Sequence, residues 1–226
     1  MDSNGLTVLS LFDGMSCGAI ALREAGIKVK QYFASEIDKT AILQATHNFP
    51  DTIQLGSVVN LSAANLPKID LLIGGSPCQG FSFAGKQMNF KDPRSVLFFE
   101  YVRILNEIRA YNPDVKFLLE NVRMRAEYEN VISSHLGLQP VAINSSLVSA
   151  QNRLRLYWTN ILTAATPHLF GETVFTAIPQ PKDKGIYLRD VLDDVADTRY
   201  FLSRKDIEKL EKQIAYESEN QKSLSE

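Results

Sequence analysis

Short apolar runs of strand length alternate with amphipathic stretches of helical length through most of this chain. Leu6 to Phe12 is an almost unbroken apolar run, the pattern of a strand buried on both faces, and it gives way to the turn DGMSCG and a helix from Gly18 to Ala25. Gln31 to Ser35 reads as a second strand ending at Glu36, and Lys39 to Phe49 as a helix stopped by Pro50. A third strand, Ile69 to Ile73, leads into the glycine-rich GGSPCQGFS and a polar loop through Phe90. Leu97, Phe98, Tyr101, Val102, Leu105 and Ile108 then recur at helical spacing, which predicts a helix over Ser95 to Tyr111. Val115 to Leu119 is another buried strand, with Glu120 and Asn121 at its end. Strands alternating with helices in this way predict an α/β fold, a Rossmann-like, doubly wound, mostly parallel sheet with helices on both faces.

The rhythm changes after about Ile161, where Pro167, Pro179 and Pro181 mark an irregular connection. Arg204 to Glu226 is charged and closes on ESENQKSLSE, a helical or disordered tail. The expected organisation is therefore a compact domain over residues 1–161, a connecting region over 162–203 and a tail over 204–226.

Composition changes this picture little. At 226 residues the chain suits one domain with a small appendage, and its 45% hydrophobic and 22% charged content is that of an ordinary globular protein. A net charge of −2 removes any bulk attraction to polyanions, so nucleic-acid binding would need a local basic face. Two cysteines, Cys17 and Cys78, cannot build a disulfide framework and lack zinc-ligand spacing, so no metal is expected. No stretch approaches the roughly 18 apolar residues of a membrane helix, and the amino terminus lacks the basic and cleavage regions of a signal peptide. A soluble, cytoplasmic protein without membrane or metal is the expectation.

Four constellations fall at strand ends, where open α/β sheets bind ligands. The turn from Asp13 to Gly18 has glycines that permit close backbone approach. It does not match GxGxxG, and the carboxylate of Asp13 would repel a pyrophosphate; a turn that merely caps a helix explains it equally well. Glu36 stands where a carboxylate can accept from ribose hydroxyls, while Asp38 reads as a solvated acid. Cys78 lies in a turn with little apolar cover, so its thiol asks for an activating neighbour. A Cys/His hydrolase would recruit an imidazole, yet His47 and His135 lie in helical stretches and His168 in the irregular tail. Finally, Glu120 pairs with QNRLRLYW, in which Arg153 and Arg155 share one face of a strand and present forks of donors suited to a base carbonyl or phosphate.

Taken in order, LFDGMSCG, SEID, GGSPCQGFS, LLENV and QNRLRLY resemble the motifs of the C5-specific cytosine DNA methyltransferases that use S-adenosylmethionine, and they span Leu11 to Tyr157. LFFEYVRIL resembles the helix after the active-site loop of that family. The resemblance implies the class I methyltransferase fold and double-stranded DNA as partner. It implies that Cys78 attacks C6 of a flipped cytosine, that Glu120 protonates the N3 edge, and that Arg153 and Arg155 steady the base carbonyl and a phosphate. The cofactor would lie against Phe12 and Glu36, with Asp13, Gly14, Met15, Ser16, Cys17 and Gly18 around its methionine end. Ile37, Ser57, Val58, Pro77 and Leu97 would complete that site. Gln79, Ser82, Lys86, Arg94 and Gln151 would touch DNA, and the loop from Phe81 to Pro93 would close over the base.

The sequence departs from the family at Ser57, where an aspartate that reads the adenine amino group is common. IYLRDVLDDVADTRYFLS resembles the entry to a target-recognition region, but the region proper and the terminal motifs are not found. The reading is of an amino-terminal catalytic portion, either truncated or one half of a split enzyme whose remainder a complementing C-terminal polypeptide would supply. A catalytically inactive relict that binds cofactor or DNA, and an RNA cytosine methyltransferase on the same scaffold, are the alternatives; the CFT signature associated with the RNA branch is absent.

Overall fold

The computed structural model describes residues 5–77, 96–169, 171–194 and 197–222. The chain forms two compact units, Met1–Gly185 and Ile186–Glu226. The first is built on a seven-stranded sheet of order β3-β2-β1-β4-β5-β7-β6. Its strands are β1 Leu6–Leu11, β2 Val29–Ser35, β3 Ile53–Gln54, β4 Leu71–Gly74, β5 Lys116–Val122, β6 Val141–Asn144 and β7 Leu154–Thr159. The pairs among β1 to β5 are parallel, and β7 runs antiparallel to both β5 and β6. The doubly wound, mostly parallel sheet expected from sequence is therefore the fold.

Strand alternation explains why the sheet is buried on both faces. Leu9, Leu11, Leu72, Phe117, Leu119 and Trp158 point into the larger core, where they meet Phe98, Tyr101 and Leu105 of α3, Val96–Tyr111, and Ile132 of α4, Ala126–Leu136. On the other face Val8, Tyr32, Ala34 and Leu71 pack with Leu22 of α1, Cys17–Glu24. Helix ends follow local chemistry. Asp38, read from sequence as a solvated acid, caps α2, Lys39–Asn48, by accepting from the amides of Thr40 and Ala41. Gly137, at φ 81°, ends α4 in the left-handed conformation that a side chain resists.

The topology fixes where ligands can bind. The chain winds outward in both directions from the boundary between β1 and β4, and the carboxyl ends of these strands open a crevice there. Leu11 is paired with Ser35 and with Gly74, and Gly74 with Leu119, so the ends of β1, β2, β4 and β5 stand in one row.

Three differences from the sequence reading stand out. Glu120 and Asn121 lie within β5, not beyond it, because antiparallel pairing with β7 prolongs the strand to Val122. His168 and Pro167 lie not in an irregular tail but in a hairpin of β8, Thr163–His168, and β9, Gly171–Thr176. Every strand of a two-stranded sheet is an edge, which is why it tolerates Pro167. The first compact unit also runs past Ile161 to Gly185. In the second unit, α5, Arg204–Lys222, is a charged helix. No helix among the described residues is long and apolar enough to cross a membrane.

Candidate active site

Each candidate residue on the strand ends stands one or two steps beyond the row of Leu11, Ser35, Gly74 and Leu119: Phe12 and Asp13 after β1, Glu36 after β2, Gly75 after β4, and Glu120 next to Leu119 on β5. That register brings residues far apart in sequence to one edge.

A cavity of about 150 Å³ opens between the ends of β1 and β2 and the loop after β3. Phe12, Glu36, Ile37 and Ser57 line it, and Val58, Pro77 and Leu97 complete the wall. All seven belong to the thirteen positions that the family resemblance implies for the cofactor, and the fold brings these seven together. Glu36 is held rigidly, since its Oε1 accepts from the amides of Ile37 at 2.7 Å and Asp38 at 3.0 Å. Oε2 accepts from the amide of Gly14 at 2.8 Å. These use three of the roughly four accepting positions of a carboxylate, leaving capacity for a ligand hydroxyl. The hydroxyl oxygen of Ser57 accepts weakly from the Val59 amide at 3.4 Å, so Ser57 caps the short 3-10 turn Val58–Asn60 as well as facing the cavity.

A second cavity, about 690 Å³, lies beside it, bordered by Phe12, Asp13, Cys17, Gly18, Glu120 and Arg153. Here Oε1 of Glu120 is 2.9 Å from Nε of Arg155, with their side chains 31% and 18% exposed. The distance makes an ion pair, but the Nε–H is misaligned for a hydrogen bond and has no partner among the described residues, whereas the Nη1 group donates to the Leu154 carbonyl at 2.8 Å.

The sequence reading missed Tyr157 and Arg103 here, and named Asn121 beside Glu120 without giving it a role. Tyr157 pairs directly with Glu120 across β5 and β7 and borders the second cavity. Burial and the nearby Glu120 charge raise its phenol pKa, against the opposing pull of Arg153 and Arg155. Its position two residues after Arg155, on the same strand face, was the available signal. Asn121 donates to the Ser76 hydroxyl at 3.2 Å and more weakly to the Ser76 carbonyl at 3.4 Å, anchoring the segment that leads to Pro77. Arg103 on α3 donates to the Val58 carbonyl at 3.0 Å and bonds Glu100 and Glu107, tying the helix to the wall of the first cavity.

Other candidates fall differently. Ser16 is fully buried, and Met15, 54% exposed, lines neither cavity. Gln151 is exposed in the loop before β7. Cys78, Gln79, Ser82, Lys86 and Arg94, and the loop from Phe81 to Pro93, lie outside the described residues. Among the described residues no group of three or more His, Cys, Asp or Glu is placed to hold a metal ion.

Comparison with known proteins bears on this geometry. A family model described as C-5 cytosine-specific DNA methylase matches residues 6–226. The orphan methyltransferase M.Rho11sI of Bacillus phage rho11s is 31% identical over 244 residues, covering 92% of this chain and 48% of that protein. The type II methyltransferase M1.ScrFI of Lactococcus lactis subsp. cremoris is 32% identical over 209 residues, covering 88% of this chain and 51% of its own. The chain thus spans about half the length of these relatives. Among solved structures, a mutant of Spodoptera frugiperda DNMT2 has a similar fold, with a TM-score of 0.61 at 24% identity, covering 88% of this chain and 63% of that one.

Proposed function

The chain belongs to the C-5 cytosine-specific DNA methylase family, and from that premise we propose that it carries the catalytic half of a reaction that methylates C5 of cytosine in double-stranded DNA. The observation that carries the proposal is the Glu120–Arg155 pair at the sheet edge, beside a cavity walled by Phe12, Glu36, Ser57, Pro77 and Leu97. Acid, cation and ligand cavity share one row of strand ends.

The first cavity, at about 150 Å³, has room for part of an adenosine and carries groups suited to it. Phe12 offers an aromatic face, Glu36 an accepting carboxylate for ribose hydroxyls, and Ser57 a hydroxyl for the base edge. The Asp13 to Gly18 turn would adjoin the methionine end of the cofactor. When bound, S-adenosylmethionine supplies an electrophilic methyl group. Cytosine reaches this edge only when flipped out of the duplex, at a cost of about a few kcal/mol.

In the proposed reaction the Cys78 thiolate bonds to C6, and the C5=C6 π electrons move through the ring towards N3. Glu120 donates a proton at N3 as they arrive, which makes the attack feasible and leaves an enamine whose C5 is nucleophilic. Arg155 and Arg153 hold the base carbonyl and the adjacent phosphate by charge-assisted hydrogen bonds. Once C5 has attacked the methyl group of the cofactor, breaking its bond to sulfur and releasing S-adenosylhomocysteine, water takes the C5 proton. The C5=C6 bond re-forms as Cys78 leaves as thiolate, and the N3 proton returns to Glu120. Asn121 contributes by fixing Ser76, two residues before the nucleophile. Gln79, Ser82, Lys86, Arg94 and Gln151 are proposed to contact the DNA.

The test is transfer of a labelled methyl group from S-adenosylmethionine to duplex DNA, assayed with the chain alone and with a C-terminal half of a relative added. Label appearing as 5-methylcytosine, and lost to background in Cys78→Ala, is the expected outcome; transfer unaffected by that substitution would overturn the proposal. A subtler variant probes the geometry. A Cβ at Gly75 would stand 3.0 Å from Oε2 of Glu120. Gly75→Ala is therefore expected to push the carboxylate aside and slow transfer by roughly tenfold to hundredfold, since small displacements of reacting groups cost that much. Circular dichroism should show the fold unchanged.

A further inference from the structure

We infer that Tyr32 is a positioning residue that locks the Asp13 to Gly18 turn in the shape that receives the methionine end of the cofactor; the inference rests on the cofactor reading above. Tyr32 lies on β2, on the sheet face opposite the larger core, and is 7% exposed. Its hydroxyl donates to Oδ1 of Asp13 at 2.7 Å, and the Ser16 hydroxyl donates to Oδ2 at 2.5 Å. Asp13 is itself 9% exposed, so its carboxylate is satisfied from within the protein.

The turn needs such a lock. Phe12 at φ 58° and Ser16 at φ 62° are non-glycine residues in the left-handed region, a conformation that persists only when its surroundings over-determine it. Among the described residues, its hydrogen bonds to the sheet come from one strand and its end. The Tyr32 hydroxyl holds the Asp13 side chain, the Ser35 carbonyl accepts from the Asp13 amide at 3.2 Å, and Oε2 of Glu36 accepts from the Gly14 amide at 2.8 Å. Space is arranged around the same phenol. A Cβ at Gly18 would stand 2.9 Å from the Tyr32 oxygen and 2.2 Å from Cδ1 of Ile73, so only glycine lets α1 start this close to β2 and β4.

This arrangement separates two parts of the ligand. The adenosine cavity is built from Glu36, Ser57, Pro77 and Leu97, none of which bonds the phenol, with Phe12, which precedes the turn, as the one wall residue next to Asp13. The turn that would meet the amino-acid end depends on the phenol. Loss of the hydroxyl should therefore weaken ligands that carry the amino-acid end and spare those that lack it.

The experiment is calorimetric titration of the full chain and of Tyr32→Phe with S-adenosylhomocysteine and with 5′-methylthioadenosine, with the thermal midpoint recorded for each. The expected result is an affinity for S-adenosylhomocysteine about tenfold lower in Tyr32→Phe, as for loss of one hydrogen bond to a charged group, with 5′-methylthioadenosine unchanged within about twofold. Ser16→Gly removes the other donor while suiting the positive φ, and should give the same split even if Tyr32→Phe fails to fold. Equal losses for both ligands, or none for either, would overturn the inference while leaving the cofactor reading intact. Failure of the unsubstituted chain to bind either ligand would instead overturn the cofactor reading, and the inference with it.

Discussion

Glu120→Gln is expected to lower methyl transfer by at least about a hundredfold, within the range of roughly 10²- to 10⁴-fold that a positioned general acid contributes, while S-adenosylhomocysteine affinity stays within about twofold. Glutamine preserves the volume beside Gly75 and Arg155, so the substitution removes the carboxyl group without opening a void. A carboxyl group can hand a proton to N3 as Cys78 bonds to C6; an amide cannot. The pair is partly exposed, so losing its charge should change stability by only on the order of 1 kcal/mol. The first cavity has no Glu120 in its wall, which is why cofactor affinity should be spared. Steady-state transfer kinetics and calorimetry on the same preparation read the two effects separately.

Trp158→Ala carries the largest expected effect on stability, a loss of about 3–5 kcal/mol as for other buried aromatic truncations. Trp158 is fully buried on β7, packed in the larger core, and its indole N–H donates to the Ser133 hydroxyl of α4 at 3.0 Å. Removing the ring leaves a void and strands that hydroxyl inside the protein. The consequence reaches the site because Trp158 anchors the strand whose other face carries Arg155 and Tyr157. Urea denaturation followed by circular dichroism should show the midpoint falling with an unchanged slope.

Much of this architecture can be read in the chain itself, for physical reasons that also mark where reading fails. Apolar runs such as those of β1, β4 and β5 are continuous because both sheet faces are covered, and a polar residue at the end of each therefore stands out. Glu36 and Glu120 stood out in that way, Arg153 and Arg155 through strand alternation, and Phe12 only through the family resemblance. The hairpin of β8 and β9 was not, because its exposed residues and Pro167 carry no buried period. Tyr32 resembles any aromatic residue in a strand. Only the register that sets β2 beside β1, across 19 positions of sequence, gives its hydroxyl to Asp13. Tyr157 and the hold of Asn121 on Ser76 were hidden likewise, since pairing between β5 and β7 and contact between β5 and the β4 loop are not local. Asp38 is the exposed acid read from sequence, but its capping role was hidden, since an exposed carboxylate and a helix cap look the same in sequence until the amides of Thr40 and Ala41 turn towards it.

The central claim is covalent attack by Cys78 on C6 of cytosine. It is tested most directly with duplex DNA carrying 5-fluorocytosine, in which the departing C5 proton is replaced by fluorine and the adduct cannot resolve after methyl transfer. Incubation with S-adenosylmethionine, with the C-terminal half of a relative present, should give a denaturation-resistant protein–DNA species whose cross-linked peptide contains Cys78. A cross-link at any other residue, or methyl transfer to ordinary DNA without trapping on the fluorinated duplex, would contradict it.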